Sequence, residues 1–405
     1  MIAEAIRGAF SRGHVMGADG DEVLFGGMTT AAGERVTAET ALKIAAVYTC
    51  VSIIASGVRA MPLRVMRDIG DGILRPDRQH RLWPILHTQA NPEMSAGEVW
   101  ERLAWDAMLR GNGYAFLDRD RLGRVRWIWP LTNGRVQVGR DPRTRQKIYA
   151  VSAADDRERI QFVGTTLDIL HVKGDPGGDP LLGVSVIQRL RETIGRSLAE
   201  DRHAATMMRN QGRPSGVLTV EGRLTDEQAE RLAKRWNAAH GGASKAGRTA
   251  VLEEGAVWKP VTLSAADLEL VKQRAISRED IAIAFKVPGD MVLAGNSANL
   301  HYSSDQTRDV RLVKHAISPW AQRIQDALAI NESLPWGEDR YPRFNPDGLL
   351  RADIKSRYEA YKVGIDAGWL DPNEVRRRED LEPIEGLDKP RPLIDSTPPQ
   401  TRRTD

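Results

Sequence analysis

The fifteen residues Ile44–Val58 carry no charge, and Lys43 and Arg59 bracket them. This run is the most apolar of the chain and the first constraint on its fold. It amounts to about four helical turns, short of the ~20 residues needed to cross a bilayer. Other parts of the same chain must therefore cover it. The pattern predicts a core helix over Ala38–Arg59, ended by Met61-Pro62 because the residue before a proline avoids the helical region. Cys50, in the middle of this run, is the only cysteine. That excludes an internal disulfide and a multi-cysteine zinc site, and the thiol reads as buried and structural.

Local signals place the following elements. Pro62–Arg67 alternates as a strand. Ser95 with Glu98 forms a capping box for a helix over Ala96–Arg110, which Gly111-Asn112-Gly113 stops before a strand at Tyr114–Asp118. From Arg124 to Gln137 the pattern is again strand-like, with Val125, Trp127 and Trp129 on one face and Arg124 and Arg126 on the other. Interleaved Arg and Trp can stack on nucleic-acid bases, and a half-buried strand with a solvated basic face gives the same pattern. The Gly/Pro loop Gly174–Gly183 leads into a long helix, Val186–Asn210. A strand Gly216–Glu221, a helix Asp226–Ala239 capped by Thr225 and Gln228, a strand Thr249–Glu254 and an extended piece Val257–Thr262 precede a second long helix, Ala265–Phe285.

A long polar loop, Lys286–Gln306, comes next. Loops beyond ~12–15 residues in a compact domain are uncommon and usually functional or disordered. The most regular helix of the chain follows, its stripe Val310, Val313, Ile317, Trp320, Ile324 and Leu328 recurring at steps of three and four. Pro319 inside it predicts a kink or split. The segment Asp347–Pro383 reads as charged helix, broken at Gly368-Trp369-Leu370-Asp371-Pro372. Residues 1–36 are expected to form a weakly patterned arm, and the proline-rich tail 388–405 to be disordered.

The 405 residues include 58 basic and 55 acidic side chains, a net charge of +3. This balance argues against a dedicated high-affinity DNA binder, which carries a strongly basic face. No basic-then-apolar leader opens the chain, so the expectation is a cytosolic protein or one assembled there. Signatures of chemistry are missing. Gly242–Thr249 matches a phosphate loop except for Arg248 where Lys is required, and its helix and strand are in reversed order. The eight histidines include no pair at i, i+4, so no helical metal motif is present. Gly174–Asp179 lacks the alternating oxygen ligands of a calcium hand and reads as a tight connection. No catalytic residue, cofactor or metal is expected, and an architectural protein fits best.

Several spaced motifs carry a resemblance. They are Val47-Tyr48-x-Cys50 with Pro62-Leu63, Asn91-Pro92, Arg110-Gly111-Asn112-x-Tyr114 and Gly183-x-Ser185. Gly212-x-Pro214-x-Gly216-Val217-Leu218, Leu252-Glu253-Glu254-Gly255, Ala284-Phe285-x-Val287-Pro288, Pro319 and Gly368-x-Leu370-x-Pro372-Asn373-Glu374-x-Arg376 follow in order. In order and spacing over positions 40–385 the chain resembles the portal proteins of tailed bacteriophages, in the compact branch shared by prophages and gene transfer particles.

The resemblance implies an α+β portal fold assembled as a dodecameric ring at one capsid vertex of a virion, built in the host bacterial cytoplasm. It divides the chain into an α/β wing (37–185 and 307–346), a two-helix stem (186–212 and 264–286), a strand–helix–strand clip (213–263), a tunnel loop (287–306) and a helical crown (347–387). Double-stranded DNA would pass the loop without sequence preference, touching Lys286, Asn296, Ser297, Asn299, His301 and Tyr302. The clip face Lys234, Arg235, Lys245 and Arg248 would meet DNA, the large terminase subunit or the head–tail adaptor. The major capsid protein is the remaining expected partner, and no membrane is involved. Two alternatives stand beside this reading: a DNA-packaging ATPase or nuclease, and another ring-forming head–tail protein.

Overall fold

The computed structural model describes residues 29–70, 73–152, 160–209, 216–219, 225–228, 230–231, 234, 257–260, 276–292, 305–346, 349, 354–379 and 381–389. Two helices, α1 (Ala38–Ala41) and α2 (Ala45–Ala60), stand where one was expected. Thr37 and Thr40 cap α1 reciprocally, and the break falls at Ile44, which takes an extended backbone (φ −81°, ψ 116°). Ile44 is buried as a result. Along α2, Val47, Cys50, Val51, Ile54 and Val58 are buried at helical spacing. Burial pushes the Cys50 thiol up to about 12, in keeping with a structural role.

β1 (Leu63–Asp68) is followed by β2 (Leu74–Pro76), a π-helical turn at Pro84–Thr88, β3 (Gln89–Asn91) and β4 (Met94–Ser95). The capping box then forms as expected. Ser95 Oγ accepts from the Glu98 N–H at 3.3 Å, while Glu98 Oε2 accepts from the Ser95 N–H at 2.8 Å. It opens α3 (Ala96–Arg110), and Gly111 closes that helix in the left-handed region at φ 81°. A side chain at Gly111 would also collide with the backbone of Gly183 and Ser185.

β5 (Asn112–Arg119) pairs with β6 (Val125–Leu131). Here the expected facing fails: a register shift skips Arg126, so Asp118 opposes Trp127 while Arg119 opposes Val125. A bulge of this kind reverses the alternation. Val125 and Ile128 are buried, whereas Trp127 and Trp129 are only half-buried. β7 (Val136–Arg140), β8 (Lys147–Ser152) and β9 (Ile160–Thr165) form a separate antiparallel sheet, and β10 (Ile169–Lys173) returns to pair with β5. β11 (Asp175–Pro176) and β12 (Gly183–Val184) close the Gly/Pro loop as a hairpin.

Next come α4 (Val186–Arg189), a break at Leu190, and α5 (Arg191–Arg209). β13 (Gly216–Thr219) pairs antiparallel with β14 (Val257–Pro260), so the two ends of the expected insert lie side by side at its base. Residues 226–228, 230, 231 and 234 are helical, and the Thr225 N–H donates to Gln228 Oε1 at 3.0 Å. The expected strand Thr249–Glu254 lies outside the described residues. Helix α6 spans 276–285.

After the loop come α7 (Asp305–Leu312), a π turn at Val313–Ile317 and α8 (Ser318–Ala329), with Pro319 in the first turn of α8. Proline lacks an N–H and crowds the carbonyl four residues back; the wider π turn absorbs that crowding. The phase of the stripe changes there. Val313, Ile317, Trp320, Ile324 and Leu328 are buried, but Val310 is exposed. β15 (Arg340–Phe344) then pairs with β1, Leu63 opposite Phe344. The C-terminal part of the chain thus returns to the N-terminal sheet.

α9 (Ile354–Asp366) and α10 (Pro372–Arg378) flank Gly368 (φ 77°), with Asp371 capping α10 through the Glu374 N–H at 2.6 Å. Arg357 Nη2 meets Glu379 Oε2 at 2.7 Å, tying the two helices. The tail beyond residue 389 lies outside the described residues. Within the expected arm, residues 1–28 also lie outside them, but residues 29–36 are packed. Thr30, Glu34 and Val36 are buried, Glu34 meets Arg202 of α5 at 2.7 Å, and the Ala31 N–H donates to Glu192 at 3.0 Å. Thr30 occupies the space a side chain at Gly195 would need. Partners far along the chain order this segment, which its own pattern could not indicate.

One large core joins α2, α3, β1, β5, β6, β10, α6 and α8. A smaller one, around Tyr114, Val136, Val138, Tyr149, Val151 and Ile169, lies under the β7–β8–β9 sheet.

Candidate functional site

The polar loop is held at both ends. Helix α6 buries Ile281, Ala282 and Phe285, then stops at Lys286, whose backbone is left-handed (φ 60°). The Lys286 N–H donates to Ile283 O at 2.9 Å and the Val287 N–H to Ala282 O at 3.0 Å. These are the two bonds of a Schellman closure, which satisfies the last helical carbonyls. Val287 is buried and anchors the turn in the core, and Pro288 prevents the helix from resuming. A short 3₁₀ turn, Gly289–Met291, follows. Within it Asp290 Oδ2 meets Arg308 Nη1 of α7 at 2.5 Å. The Asp290–Arg308 pair thus clasps the segment that ends at residue 292 to the helix that starts at Asp305.

Of the six residues assigned to this loop from sequence, Lys286 alone is described. Its side chain is exposed, and its backbone forms the helix stop. Asn296, Ser297, Asn299, His301 and Tyr302 lie outside the described residues. In the insert, Lys234 is exposed and pairs with Glu230 at 2.7 Å, an i, i+4 contact on the helix surface. Arg235, Lys245 and Arg248 lie outside the described residues. No contact between any two of these ten residues is therefore established.

The kinked helix packs closely on α2. A Cβ added at Gly57 would lie 2.5 Å from Ile317 Cδ1 and 2.9 Å from Cγ1. The missing side chain sets the approach of the π turn, and nothing in the local sequence pairs these two positions.

A polar junction ties β5, β8 and β10 to Leu181 and Gly183 at the end of the Gly/Pro loop, and sequence reading missed it. Asn112 Oδ1 accepts from the Gly183 N–H at 2.8 Å and lies 2.9 Å from His171 Nε2. Because that oxygen can only accept, Nε2 carries the ring proton and Nδ1 is left as an acceptor. Lys147 Nζ lies 2.7 Å from Nδ1 and donates to Leu181 O at 3.1 Å. Burial lowers Lys147 to about 7, with Lys173 and Arg140 adding repulsion and Asp179 opposing it. Burial also holds His171 well below its ordinary value, with Lys147 and Lys173 contributing. Arg323, stacked on Trp320, donates to the Gly174 carbonyl and meets Asp175 at 2.8 Å, tying the kinked helix to the β11–β12 hairpin. The expected tight connection at Gly174–Asp179 is this hairpin, and no cluster of metal-binding side chains occurs among the described residues.

A family profile described as "Phage portal protein" matches residues 45–380, most of the chain. The chain belongs to the phage portal protein family. This portal chain is 27% identical over 403 residues to a "Probable portal protein" of Streptomyces phage phiC31, covering 93% of this chain and 85% of that protein. It is 26% identical over 354 residues to the "Portal protein" of Enterobacteria phage HK97, covering 86% and 81%. Among solved structures, the neck of a native gene transfer agent particle computed with C12 symmetry superposes with a TM-score of 0.61 at 23% identity. That match covers 94% of this chain and 98% of the other, and shows a shared fold. No described helix of the portal chain is long and apolar enough to cross a membrane.

Proposed function

We propose that this portal chain is the subunit of a dodecameric ring that conducts double-stranded DNA through one capsid vertex during packaging, retention and ejection. The subunit acts by architecture and hydrolyses nothing. In this reading 186–212 and 264–286 form the stem, 213–263 the clip, 287–306 the tunnel loop and 347–387 the crown. The clip offers the docking face for the large terminase subunit and the head–tail adaptor, and the major capsid protein surrounds the ring.

The observation that carries the reading is the loop neck: a Schellman stop on one side and the Asp290–Arg308 pair on the other. A loop fixed at both ends and repeated by rotational symmetry becomes a circle of identical polar groups. Asn296, Ser297, Asn299 and His301 would offer weak contacts to any DNA backbone. Few strong phosphate contacts suit a conduit, because each one adds binding energy that sliding must repeatedly break. The near-even charge total agrees with this.

Deleting Gly295–Tyr302 tests the proposal. Native mass spectrometry should show an intact ring, while DNA packaging or retention fails. A deletion variant that packages and retains DNA normally would remove the tunnel-loop role. ATP hydrolysis by the purified ring would favour the packaging-enzyme alternative.

A further inference from the structure

A groove runs along the sheet side of the molecule between the Pro84–Thr88 turn and the β5–β6 hairpin. Its apolar lining comes from Pro84, Ile85 and Val125, and its polar lining includes Arg81, Arg124 and Arg126. The Arg126 guanidinium lies over the Trp127 ring, 5.3 Å from the centroid. Stacking of this kind restrains the side chain and leaves the edge N–H fork free for an acceptor. The only carboxylate lining the groove, Asp120, is already committed. It accepts from the Leu122 and Arg124 N–H groups at 2.9 Å and from Arg124 Nε at 2.9 Å. Its carboxyl is held below the usual range, chiefly by the bond from the Arg124 backbone. Arg81 and Arg126 have no carboxylate partner among the described residues, so the groove is left with uncompensated positive charge over an apolar floor.

We propose that this groove docks an extended acidic segment of a partner protein, two carboxylates gripping Arg81 and Arg126 while an apolar side chain seats on Ile85 and Val125. Arg beside Trp on a partly apolar floor is the composition of energetically dominant interface residues, and planar guanidinium groups match carboxylates bidentately. Nucleic acid fits less well. Arg126 already lies over the Trp127 ring, so that ring is not open for a base to stack on. The bulge at Arg126 builds the site, since it releases that side chain from the strand alternation. This surface is distinct from the loop and clip residues to which DNA contact was assigned, so it stands or falls independently of them.

The test uses the assembled full-length ring and a fluorescein-labelled synthetic peptide, Gly-Asp-Leu-Asp-Phe-Glu-Gly, followed by anisotropy. The peptide should bind and weaken with added salt. Arg126→Glu and Arg81→Glu should each reduce affinity by about ten-fold or more, as for charge pairs at the centre of an interface. Arg126→Lys, which keeps the charge but loses the fork, should weaken binding less, and Lys362→Glu on α9 should leave it unchanged. Native mass spectrometry confirms that each variant still assembles. Absence of binding up to about 1 mM peptide, or binding indifferent to both charge reversals in assembled rings, overturns the proposal. A DNA duplex that binds through the same two arginines and displaces the peptide would also overturn it, in favour of a nucleic-acid site.

Discussion

Asp290 and Arg308 stand 2.5 Å apart, Oδ2 to Nη1, and their pairing closes the base of the polar loop. The Asp290 side chain keeps only 16% of its exposure. Exposed ion pairs contribute about 0–1 kcal/mol, and this one is better shielded than most. A double-mutant cycle with Asp290→Ala and Arg308→Ala should give a coupling of about 1 kcal/mol. Protease cleavage at the neck should quicken well before the global melting temperature moves. Equal cleavage rates in variant and parent would show that the pair does not hold the neck.

Lys286 occupies a left-handed position that costs a residue with a Cβ on the order of 1 kcal/mol. Lys286→Gly should raise stability by about 0.5–1 kcal/mol, and Lys286→Val should lower it by about 1–2 kcal/mol, since branching worsens the clash. Denaturant midpoints read both changes. If Lys286→Gly also alters DNA retention in assembled particles, the side chain acts beyond its backbone role.

Gly57 and Ile317 share one space. Gly57→Ala should destabilise, because overpacking costs about 1–3 kcal/mol against a helix-propensity gain of roughly 1 kcal/mol. Ile317→Val deletes the methyl nearest the new Cβ. The Gly57→Ala penalty, measured by urea unfolding, should shrink by about 1 kcal/mol in that background.

Lys147 and His171 make the junction sensitive to pH. A lysine lowered from its ordinary value of 10.5 to about 7 binds its proton less readily in the folded state than in the unfolded one. Between those values the unfolded chain holds more protons, so this group's contribution to stability falls as pH drops from about 10 to 7. His171, held below its ordinary value by burial, continues the fall in acid below about 6.5. Lys147→Met should flatten the stability profile between pH 7 and 10 relative to the parent, measured by urea unfolding across that range. Parallel profiles would mean that Lys147 is not desolvated in the folded protein.

Much of this was readable residue by residue. Ser95 and Glu98 announce α3, Gly111 its end, Pro319 the split helix, and Asp371-Pro372 the last helix, because each signal acts within four residues of itself. The portal family was legible for a related reason: many weak local motifs kept their order. The bulge at Arg126 was not legible, since it depends on how β6 meets β5. Neither was the order in residues 29–36, which rests on Gly195 and Arg202 of a distant helix.

The sequence by itself determined the capped start of α3 and its stop at Gly111, the split at Pro319 and the buried run around Cys50. Those features follow from backbone geometry and short-range hydrogen bonding, which any segment carries with it. Only the tertiary structure decided that Asp290 would clasp Arg308, that Ile317 would fill the space above Gly57, and that Arg126 would lie on Trp127 beside a groove. Each depends on distance and exclusion in three dimensions, between groups whose separation along the chain or whose strand register has no local signature.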